Sequence, residues 1–398
     1  MRDGASIFVL MDGLGWEVLR ERPFLDDLLP DRHPVETILG YSSGAIPTLL
    51  TGVTPAVHGH WNLFYRSPRT SPFRWTGPLG RLPRALRENR VVRRGVAEVS
   101  RRLSGYTGYF AIYNLPVDRM RFYDICETTD IYRPGGIADA PSLFDRMEAQ
   151  GEPYECFNYH RHTDEQILDL VPLRLKESPA RTYFLYLAGL DLHLHLSITD
   201  EKGVTERLAW YAERLRRVYA AARARWGSAR MHLFSDHGMT RVEGGRDLMG
   251  EVARLGLRIP QDYLPAYDST MARFWADAPA AQRRLRELLG ALPYGRLLDQ
   301  REMAALGLAF EDDRYGQLVF VMKPGLTISP SDMGRVQLEG MHGFHPHEDP
   351  HAAAVFLSSE RGPAVRHLTG VLPRLLADFE WGRREEGAAA WPRAASAG

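Results

Sequence analysis

Short apolar runs alternate with amphipathic stretches along most of the chain. The apolar runs cover residues 7–11, 183–188, 231–235, 318–322 and 353–357. Stretches with apolar residues at helical spacing cover residues 16–21 and 205–226. Because buried strands that alternate with helices are typical of layered α/β domains, this pattern predicts an α/β fold with a central, mostly parallel sheet and helices on both faces.

Two regions depart from this rhythm. Residues 61–139 are rich in arginine and aromatic residues and show little strand periodicity, so we interpret them as an insertion that caps the site. From residue 383 onward the composition offers no core-forming pattern, which predicts a disordered tail. The sequence therefore predicts a single domain over residues 1–382, with a cap at 61–139 and a tail at 383–398.

Composition removes several classes of protein. Fifty basic residues balance fifty acidic ones, so no overall field attracts a nucleic-acid polymer. The only cysteines, Cys126 and Cys156, are too few for a disulfide framework. No apolar run approaches the roughly 20 residues that span a bilayer, and no signal peptide precedes the first strand, so we expect a cytoplasmic protein.

The cap region contains a run of arginines that allows two interpretations. It is either a solvated helix face or a surface for an anionic substrate or a membrane headgroup, which would permit peripheral membrane contact. The residues are Arg81, Arg84, Arg87, Arg90, Arg93, Arg94, Arg101 and Arg102.

Side chains of the types that bind metals follow three of the strands and one distant loop. They are Asp12, Asp191, His195, Asp236, His237 and His342. Ligands of open α/β sheets bind beyond the carboxyl ends of the strands, so we expect these side chains to share one rim. Carboxylate oxygen and histidine nitrogen together suit zinc or manganese better than magnesium or calcium. His193, between Asp191 and His195, is a rival ligand.

A serine pair supplies the candidate nucleophile. Ser42 and Ser43 precede a predicted short helix whose N-terminus would favour an anion. A serine hydroxyl needs a metal contact or an adjacent base to become a nucleophile. The alternative is that the pair only caps the helix.

Together these motifs resemble the alkaline phosphatase superfamily and, within it, the type I phosphodiesterase and nucleotide pyrophosphatase branch. The resemblance spans about residues 7–357. It is carried, in the order of the family, by the Asp-Gly at Asp12, the Thr51-Gly52 segment, Asp-x-x-x-His at Asp191, Ser-Asp-His-Gly-Met at Asp236, and Gly-x-His-Gly-Phe at His342.

The resemblance implies an alkaline-phosphatase-like fold with two divalent ions, zinc or alternatively manganese. One ion would be held by Asp191, His195 and His342, with His195 selected over His193. The other would be held by Asp12, Asp236, His237 and the nucleophile. Counting back from Thr51, the spacing of the family places the nucleophile at Ser42, with Ser43 as the fallback.

The resemblance also implies a reaction. The chain would hydrolyse phosphodiester or pyrophosphate bonds through a phosphoseryl intermediate, with a nucleotide, nucleotide-sugar or lipid-linked phosphate as the small-molecule substrate. The alternative is a phosphomonoesterase, or a phosphotransferase or phosphomutase, of the same superfamily. A catalytically silent scaffold would need a lost ligand, and every expected ligand type is present.

The chain departs from the family where substrate is recognised. Gly44 and Ala45 stand where the family has proline and asparagine after the nucleophile. Asn62, or an arginine of the cap region, would then have to contact the phosphate. Aromatic residues that follow the nucleophile segment either stack on a base or sugar or pack in the core; they are Trp61, Phe64, Tyr65, Phe73 and Trp75.

Overall fold

The structure is a computed structural model that describes residues 4–87, 89–110, 112–334 and 338–377. The strands are β1 (Ala5–Met11), β2 (Asp31–Val35), β3 (Phe64–Arg66), β4 (Tyr123–Ile125), β5 (Tyr154–Phe157), β6 (Thr182–Leu187), β7 (Ala229–Phe234), β8 (Thr240–Arg241), β9 (Gly244–Arg246), β10 (Leu264–Tyr267), β11 (Met271–Trp275), β12 (Gly295–Leu297), β13 (Leu318–Met322), β14 (Leu326–Ile328), β15 (Gly340–Met341) and β16 (Ala354–Ser358). The predicted tail at 383–398 lies outside the described residues.

The α-helices occupy the stretches between these strands. They are α1 (Trp16–Arg20), α2 (Ser42–Thr51), α3 (Pro55–His58), α4 (Arg84–Arg87), α5 (Arg90–Ser104), α6 (Val117–Met120), α7 (Leu143–Ala149), α8 (Asp164–Glu177), α9 (Gly189–Ser197), α10 (Glu201–Trp226), α11 (Leu248–Ala253), α12 (Pro279–Ala291), α13 (Gln300–Ala305) and α14 (Val371–Ala377). In the described part of the chain, no helix is both long enough and apolar enough to cross a membrane.

A six-stranded sheet forms the centre of the molecule, in the order β2-β16-β7-β1-β6-β5. Strand β1 pairs in parallel with both β6 and β7, and β5 pairs in parallel with β6. Strand β16 is the exception, because it runs antiparallel to both β7 and β2. The prediction of a mostly parallel central sheet is confirmed.

Helices cover both faces of this sheet because successive side chains of each strand point to opposite sides. In β1, Phe8 and Leu10 pack with residues of α2, α7 and α14, whereas Ile7 and Val9 pack with residues of α8 and α10. Strands that are buried on both faces consist of nearly continuous apolar residues, as these runs do. The predicted helices on both faces are therefore present.

A second sheet, separate from the central one, is antiparallel and has the strand order β10-β11-β13-β12. The predicted strand at 318–322 forms as β13, but it belongs to this sheet and not to the central one. An apolar run alone cannot show which sheet a strand joins, because strands of both sheets are buried.

The 61–139 region packs against the second sheet. Its strands β3 and β4 pair with each other, and its core includes Phe73 and Tyr123 together with Trp275 of β11. Buried Arg119 donates to the carbonyl oxygen of Pro265 at 3.1 Å. Strands of only three residues are too short to produce a visible periodicity, which explains why the sequence did not indicate them.

Candidate functional site

Three neighbouring strands of the central sheet deliver the predicted ligands to one edge. Asp12 follows β1 directly, and Asp236 and His237 follow β7 after one intervening residue. Asp191 and His195 lie on α9, which begins two residues after β6. Because β7, β1 and β6 are adjacent and parallel, their carboxyl ends bring these five residues together.

Two glycines allow the connecting loops to approach each other. Gly13 has a φ of +73°, and a Cβ atom there would lie 3.0 Å from the Cα atom of Asp191. A Cβ atom at Gly238 would lie only 2.0 Å from the carbonyl oxygen of His351. The turn after β7 therefore requires glycine, and that turn orients Asp236 and His237.

The first group of ligand-type side chains consists of Asp12, Asp236 and His237, all buried. The Nε2 atom of His237 lies 3.2 Å from Oδ2 of Asp236 and 3.4 Å from Oδ1 of Asp12. Tyr186 of β6 donates its hydroxyl hydrogen to Oδ2 of Asp12. This contact leaves Oδ1 of Asp12 as the oxygen that faces the group.

The second group consists of Asp191, His237 and His342, so His237 belongs to both. The Nε2 atom of His342 lies 3.8 Å from Oδ1 of Asp191, and the rings of His342 and His237 stack with centroids 3.5 Å apart. His342 arrives from the short strand pair of β15 with β8, and not from the central sheet.

His195 lies beside this second group. Its Nε2 atom is 3.3 Å from Oδ2 of Asp191, and its Nδ1 atom donates to the carbonyl oxygen of Gly340 at 2.8 Å. The helix α9 brings Asp191 and His195 to one side because residues four apart share a face. His195 lines the cavity that opens above these groups, and the rival His193 does not.

The groups hold more negative charge than their surroundings balance. Burial, and then the charges of Asp236 and Asp191, raise the pKa of Asp12 well above its usual value. Burial opposes protonation of His237, but the neighbouring carboxylates, Asp236 first, raise its pKa to about 10. The pKa of His342 is lowered by burial and by the neighbouring imidazoles.

Three buried carboxylate oxygens face these groups without a hydrogen-bond partner among the described residues. They are Oδ1 of Asp12, Oδ1 of Asp191 and Oδ2 of Asp236. Buried carboxylates are normally paired with a cation or with hydrogen-bond donors. The donor set of carboxylates and imidazoles therefore fits divalent cations.

Ser42 is the first residue of α2 and lies next to these groups. Its Oγ atom is 3.1 Å from Nε2 of His237. Ser43 differs, because its hydroxyl donates to the carbonyl oxygen of Trp61 at 3.1 Å. The positive end of the dipole of α2 points to the same place and favours an anion there.

A cavity of about 420 Å³ opens above the site and is lined by Asp12, Ser42, Asp191, His195 and His342, among others. Asn62 also lines it: its Nδ2 atom contacts Sδ of Met271 at 3.3 Å, and its buried Oδ1 atom has no partner in the described part of the chain. None of the described lining residues is lysine or arginine.

The sequence left open whether the arginine run and the aromatic residues after the nucleophile segment reach the substrate. No described arginine of the 81–102 run lines it; Arg101 and Arg102 instead pair with Glu98 on the surface of α5. Of the aromatic residues expected to stack or pack, Trp61 and Phe64 are fully buried in cores and do not line the cavity.

The sequence did not indicate the aromatic wall of the cavity or its extra carboxyl. Tyr109, Tyr132, Tyr159 and Tyr186 line the cavity together with Glu127. The alternation along β6, which places Tyr186 on the same face as Phe184, is the one signal that points to a member of this wall. The others come from irregular segments with no periodicity.

A third group of ligand-type residues, Glu302, His345 and Glu348, lies elsewhere. Arg296 donates to both glutamates, at 2.8 Å to Oε2 of Glu302 and at 2.8 Å to Oε1 of Glu348. Because the guanidinium already donates to both carboxylates, we interpret this group as an ion-pair network of the protein itself.

Comparisons with known proteins agree with this geometry. The model of the type I phosphodiesterase/nucleotide pyrophosphatase family matches residues 6–345. A comparison with curated proteins gave no significant match.

Solved structures of ectonucleotide pyrophosphatase/phosphodiesterase 5 share the fold. The murine protein has a TM-score of 0.65 and 15% identity over 94% of this chain and 95% of its own. The human protein has a TM-score of 0.63 and 14% identity over 94% of each chain. An inactive threonine-to-alanine variant of the murine protein, in complex with AMP, has a TM-score of 0.63 and 16% identity over 94% of each chain.

Proposed function

The chain belongs to the type I phosphodiesterase/nucleotide pyrophosphatase family, and on that premise we propose that it hydrolyses phosphodiester or pyrophosphate bonds with two divalent ions and Ser42 as nucleophile. The family consists of hydrolases, so the chain is an enzyme of that kind. The observation that carries the finer assignment is the position of Ser42 Oγ beside buried carboxylate oxygens that have no hydrogen-bond partner in the described structure.

The side chains divide into two ligand sets. Asp12, Asp236 and His237 would hold one ion next to Ser42, and Asp191 and His342 would hold the other with His195. Zinc is the first candidate and manganese the second, because the donors are nitrogen and carboxylate oxygen. When bound, such ions neutralise the developing charge on oxygen and lower the pKa of a hydroxyl or water.

The residues of the chain position the reaction. The oxygen of Ser42 would form a bond to phosphorus in line with the departing oxygen, which leaves with its bonding electrons. A water molecule would then break the bond between Ser42 and phosphorus and release the phosphate product. The N-terminus of α2 and the amide of Asn62, which both line the cavity, would contact the non-bridging oxygens.

The charge of the cavity favours a diester over a monoester. A phosphomonoester carries one more negative charge than a diester at neutral pH. No lysine or arginine contributes to the described cavity wall, so no such side chain would balance that extra charge. Substrate classes consistent with this are a nucleotide, a nucleotide-sugar or a lipid-linked phosphate; the AMP in the murine relative supports a phosphoryl group with a bulky organic substituent.

Two serine variants test the proposal. We expect the metal-loaded protein to hydrolyse bis(4-nitrophenyl) phosphate faster than 4-nitrophenyl phosphate. Ser42→Ala should lower kcat by at least about 1,000-fold, since the covalent step loses its nucleophile. Ser43→Ala is the matched control, because its hydroxyl is held by a backbone carbonyl.

Elemental analysis of the same samples completes the test. We expect about two zinc or manganese ions per chain in the wild type and in Ser42→Ala. Wild-type protein without transition metal, together with unchanged turnover in Ser42→Ala, would contradict the proposal. A larger loss in Ser43→Ala than in Ser42→Ala would move the nucleophile to Ser43.

A further inference from the structure

The arginine run of the 61–139 region takes no part in the cavity, since no described arginine of the run lines it. Residues 81–104 contain eight arginines and two glutamates, which gives this segment a net charge of +6. The whole chain is neutral, so the rest of the sequence carries a net charge of −6. The positive charge is therefore local, and the proposed reaction does not account for it.

Most of this segment forms helix α5, which the rest of the protein holds in place. At its N-terminus, Oδ1 of Asn89 accepts hydrogen bonds from the backbone N–H of Val91 at 2.9 Å and of Val92 at 3.3 Å. Gly105 ends the helix with a φ of +70°. On the inner face, Ala97 is buried in the core that this region shares with the second sheet. The opposite face of α5 must therefore point outward.

An apolar row runs along this outer face. Val91, Val99 and Leu103 are 79%, 47% and 70% exposed. Together with Gly95 they form one stripe, because residues four apart are neighbours on the surface of a helix. A Cβ atom at Gly95 would meet no atom within 4 Å, so no described residue covers the middle of the row.

Exposed apolar side chains concentrate in this part of the molecule. Among the described residues, thirteen large apolar side chains are exposed, and six of them lie between residues 75 and 109. They are Trp75, Leu86, Val91, Val99, Leu103 and Tyr109. Single exposed apolar side chains are ordinary in proteins, but a concentrated group marks an interaction surface.

Arginine side chains stand beside the apolar row. Nη2 of Arg101 and Nε of Arg102 lie 2.9 Å and 2.7 Å from the same oxygen of Glu98. Arg102 keeps 75% of its side chain exposed. Because one carboxylate cannot neutralise two guanidinium groups, a net positive charge remains next to the exposed apolar side chains.

This combination fits an anionic lipid surface better than other partners. A helix with an apolar face and basic flanks places its apolar side chains at the acyl boundary and its arginines against the headgroups. A nucleic acid would engage the arginines but leave the apolar row in water. A second copy of the chain would bring one positive surface against another.

We propose that α5 docks the protein on membranes that contain anionic phospholipids, with its apolar row at the acyl boundary and its arginines against the lipid phosphates. Docking would place the cavity close to the lipid surface. Nη1 of Arg93 on α5 donates to the carbonyl oxygen of Asn114 at 3.2 Å, and Asn114 lines the cavity. This inference goes beyond the proposed hydrolase activity and does not depend on it.

Cosedimentation with lipid vesicles tests the proposal. At about 0.1 M NaCl, the wild type should bind vesicles of phosphatidylcholine with about 30% phosphatidylglycerol about tenfold more tightly than vesicles of phosphatidylcholine alone. Leu103→Ser should weaken this binding about tenfold, because a buried apolar contact is lost. Arg102→Gln should weaken it about fivefold, because one charge near the surface is lost.

Leu173→Ser and Arg217→Gln are the matched controls. Leu173 is 54% exposed on α8, and Arg217 of α10 pairs with Glu213, four residues away, as Arg102 pairs on α5. Both variants should bind the anionic vesicles as the wild type does. If the wild type does not bind these vesicles, or if Leu103→Ser binds them as well as Leu173→Ser does, α5 is not a membrane-docking surface.

Two further measurements address the other partners. If a single-stranded oligonucleotide binds as tightly as the vesicles, and equally in Leu103→Ser, the surface belongs to a nucleic acid and the proposal is overturned. Light scattering that shows a dimer, dissociated by Leu103→Ser, would assign the surface to a second copy and would also overturn it. Ser42→Ala should bind vesicles as the wild type does, so membrane docking and hydrolysis succeed or fail separately.

Discussion

Two buried carboxyls that line the cavity, Asp268 and Glu127, differ in whether a positive charge lies beside them. Asp268 is buried, but Arg273 lies beside it. Glu127 is buried to a similar degree, and among the described residues its carboxylate accepts a hydrogen bond from the backbone N–H of Tyr109, with the like charge of Asp130 nearby. A carboxyl in such a place resists ionisation, and that resistance must appear in the stability of the folded protein.

Replacement of Glu127 tests this cost directly. The folded pKa of about 8 lies above the ordinary value of 4.5. Between these values the unfolded chain releases the proton and the folded chain retains it, so stability that is present below pH 4.5 is lost as the pH rises toward 8. Glutamine does not titrate. The free energy of unfolding of Glu127→Gln should therefore increase relative to that of the wild type, by on the order of 2–3 kcal/mol between pH 5 and pH 8.

Urea denaturation of the two proteins at both pH values, with the metals removed by chelation, measures the difference. Other groups titrate equally in both proteins and cancel. Asp277→Asn should not reproduce the gain, because Arg66 lies beside that carboxyl and holds its pKa below the usual value. A stability gap between wild type and Glu127→Gln that does not change with pH would show that Glu127 ionises normally.

At the scale of elements, the sequence predicted the central sheet well. The apolar runs of β1, β6 and β7 are nearly continuous because both of their faces are buried. Asp12 follows β1 directly, and Asp236 and Asp191 follow β7 and β6 within a few residues. What the sequence could not indicate depends on contacts between distant segments. Examples are the placement of β13 in a second sheet and the approach of Glu127 to the cavity.

The turn after β7 is the element on which the site depends most. A Cβ atom at Gly238 would meet the carbonyl oxygen of His351 at 2.0 Å, so Gly238→Ala must displace backbone beside Asp236 and His237. We expect it to lower the free energy of unfolding by about 2–3 kcal/mol and to weaken metal binding measurably. Chemical denaturation and competition with a chromophoric chelator measure the two effects.

Gly290→Ala is the control for this variant. Gly290 lies in α12, and a Cβ atom there has no atom within 4 Å. Alanine should therefore stabilise this helix by about 0.5–1 kcal/mol and leave metal binding unchanged. If both alanine variants behave alike, the tight turn is not what positions the two ligands.

At the scale of the whole molecule, the site joins parts of the chain that are far apart in sequence. The central sheet contributes Asp12 and Asp236, α9 contributes Asp191, and the loop after β15 contributes His342. The 61–139 region contributes to one wall of the cavity through Glu127. Ions bound among these side chains would connect the central sheet to the distant loop, so their removal should be felt by the fold as a whole.

Chelation is expected to lower the melting temperature of the whole protein. Without ions, the carboxylates of Asp12, Asp191 and Asp236 repel one another in a buried place, and this repulsion is part of what raises the pKa of Asp12. A site filled to 100 times its dissociation constant contributes about 2.7 kcal/mol, so two sites should be worth about 5 °C or more. Zinc should restore the loss both in the wild type and in the control variant Asp27→Asn, whose exposed carboxylate pairs with Arg216 on the surface. Asp236→Asn should neither lose stability on chelation to the same extent nor regain it with zinc, because a neutral amide replaces one carboxylate of the buried group. Equal responses of Asp236→Asn and Asp27→Asn would place the ions elsewhere.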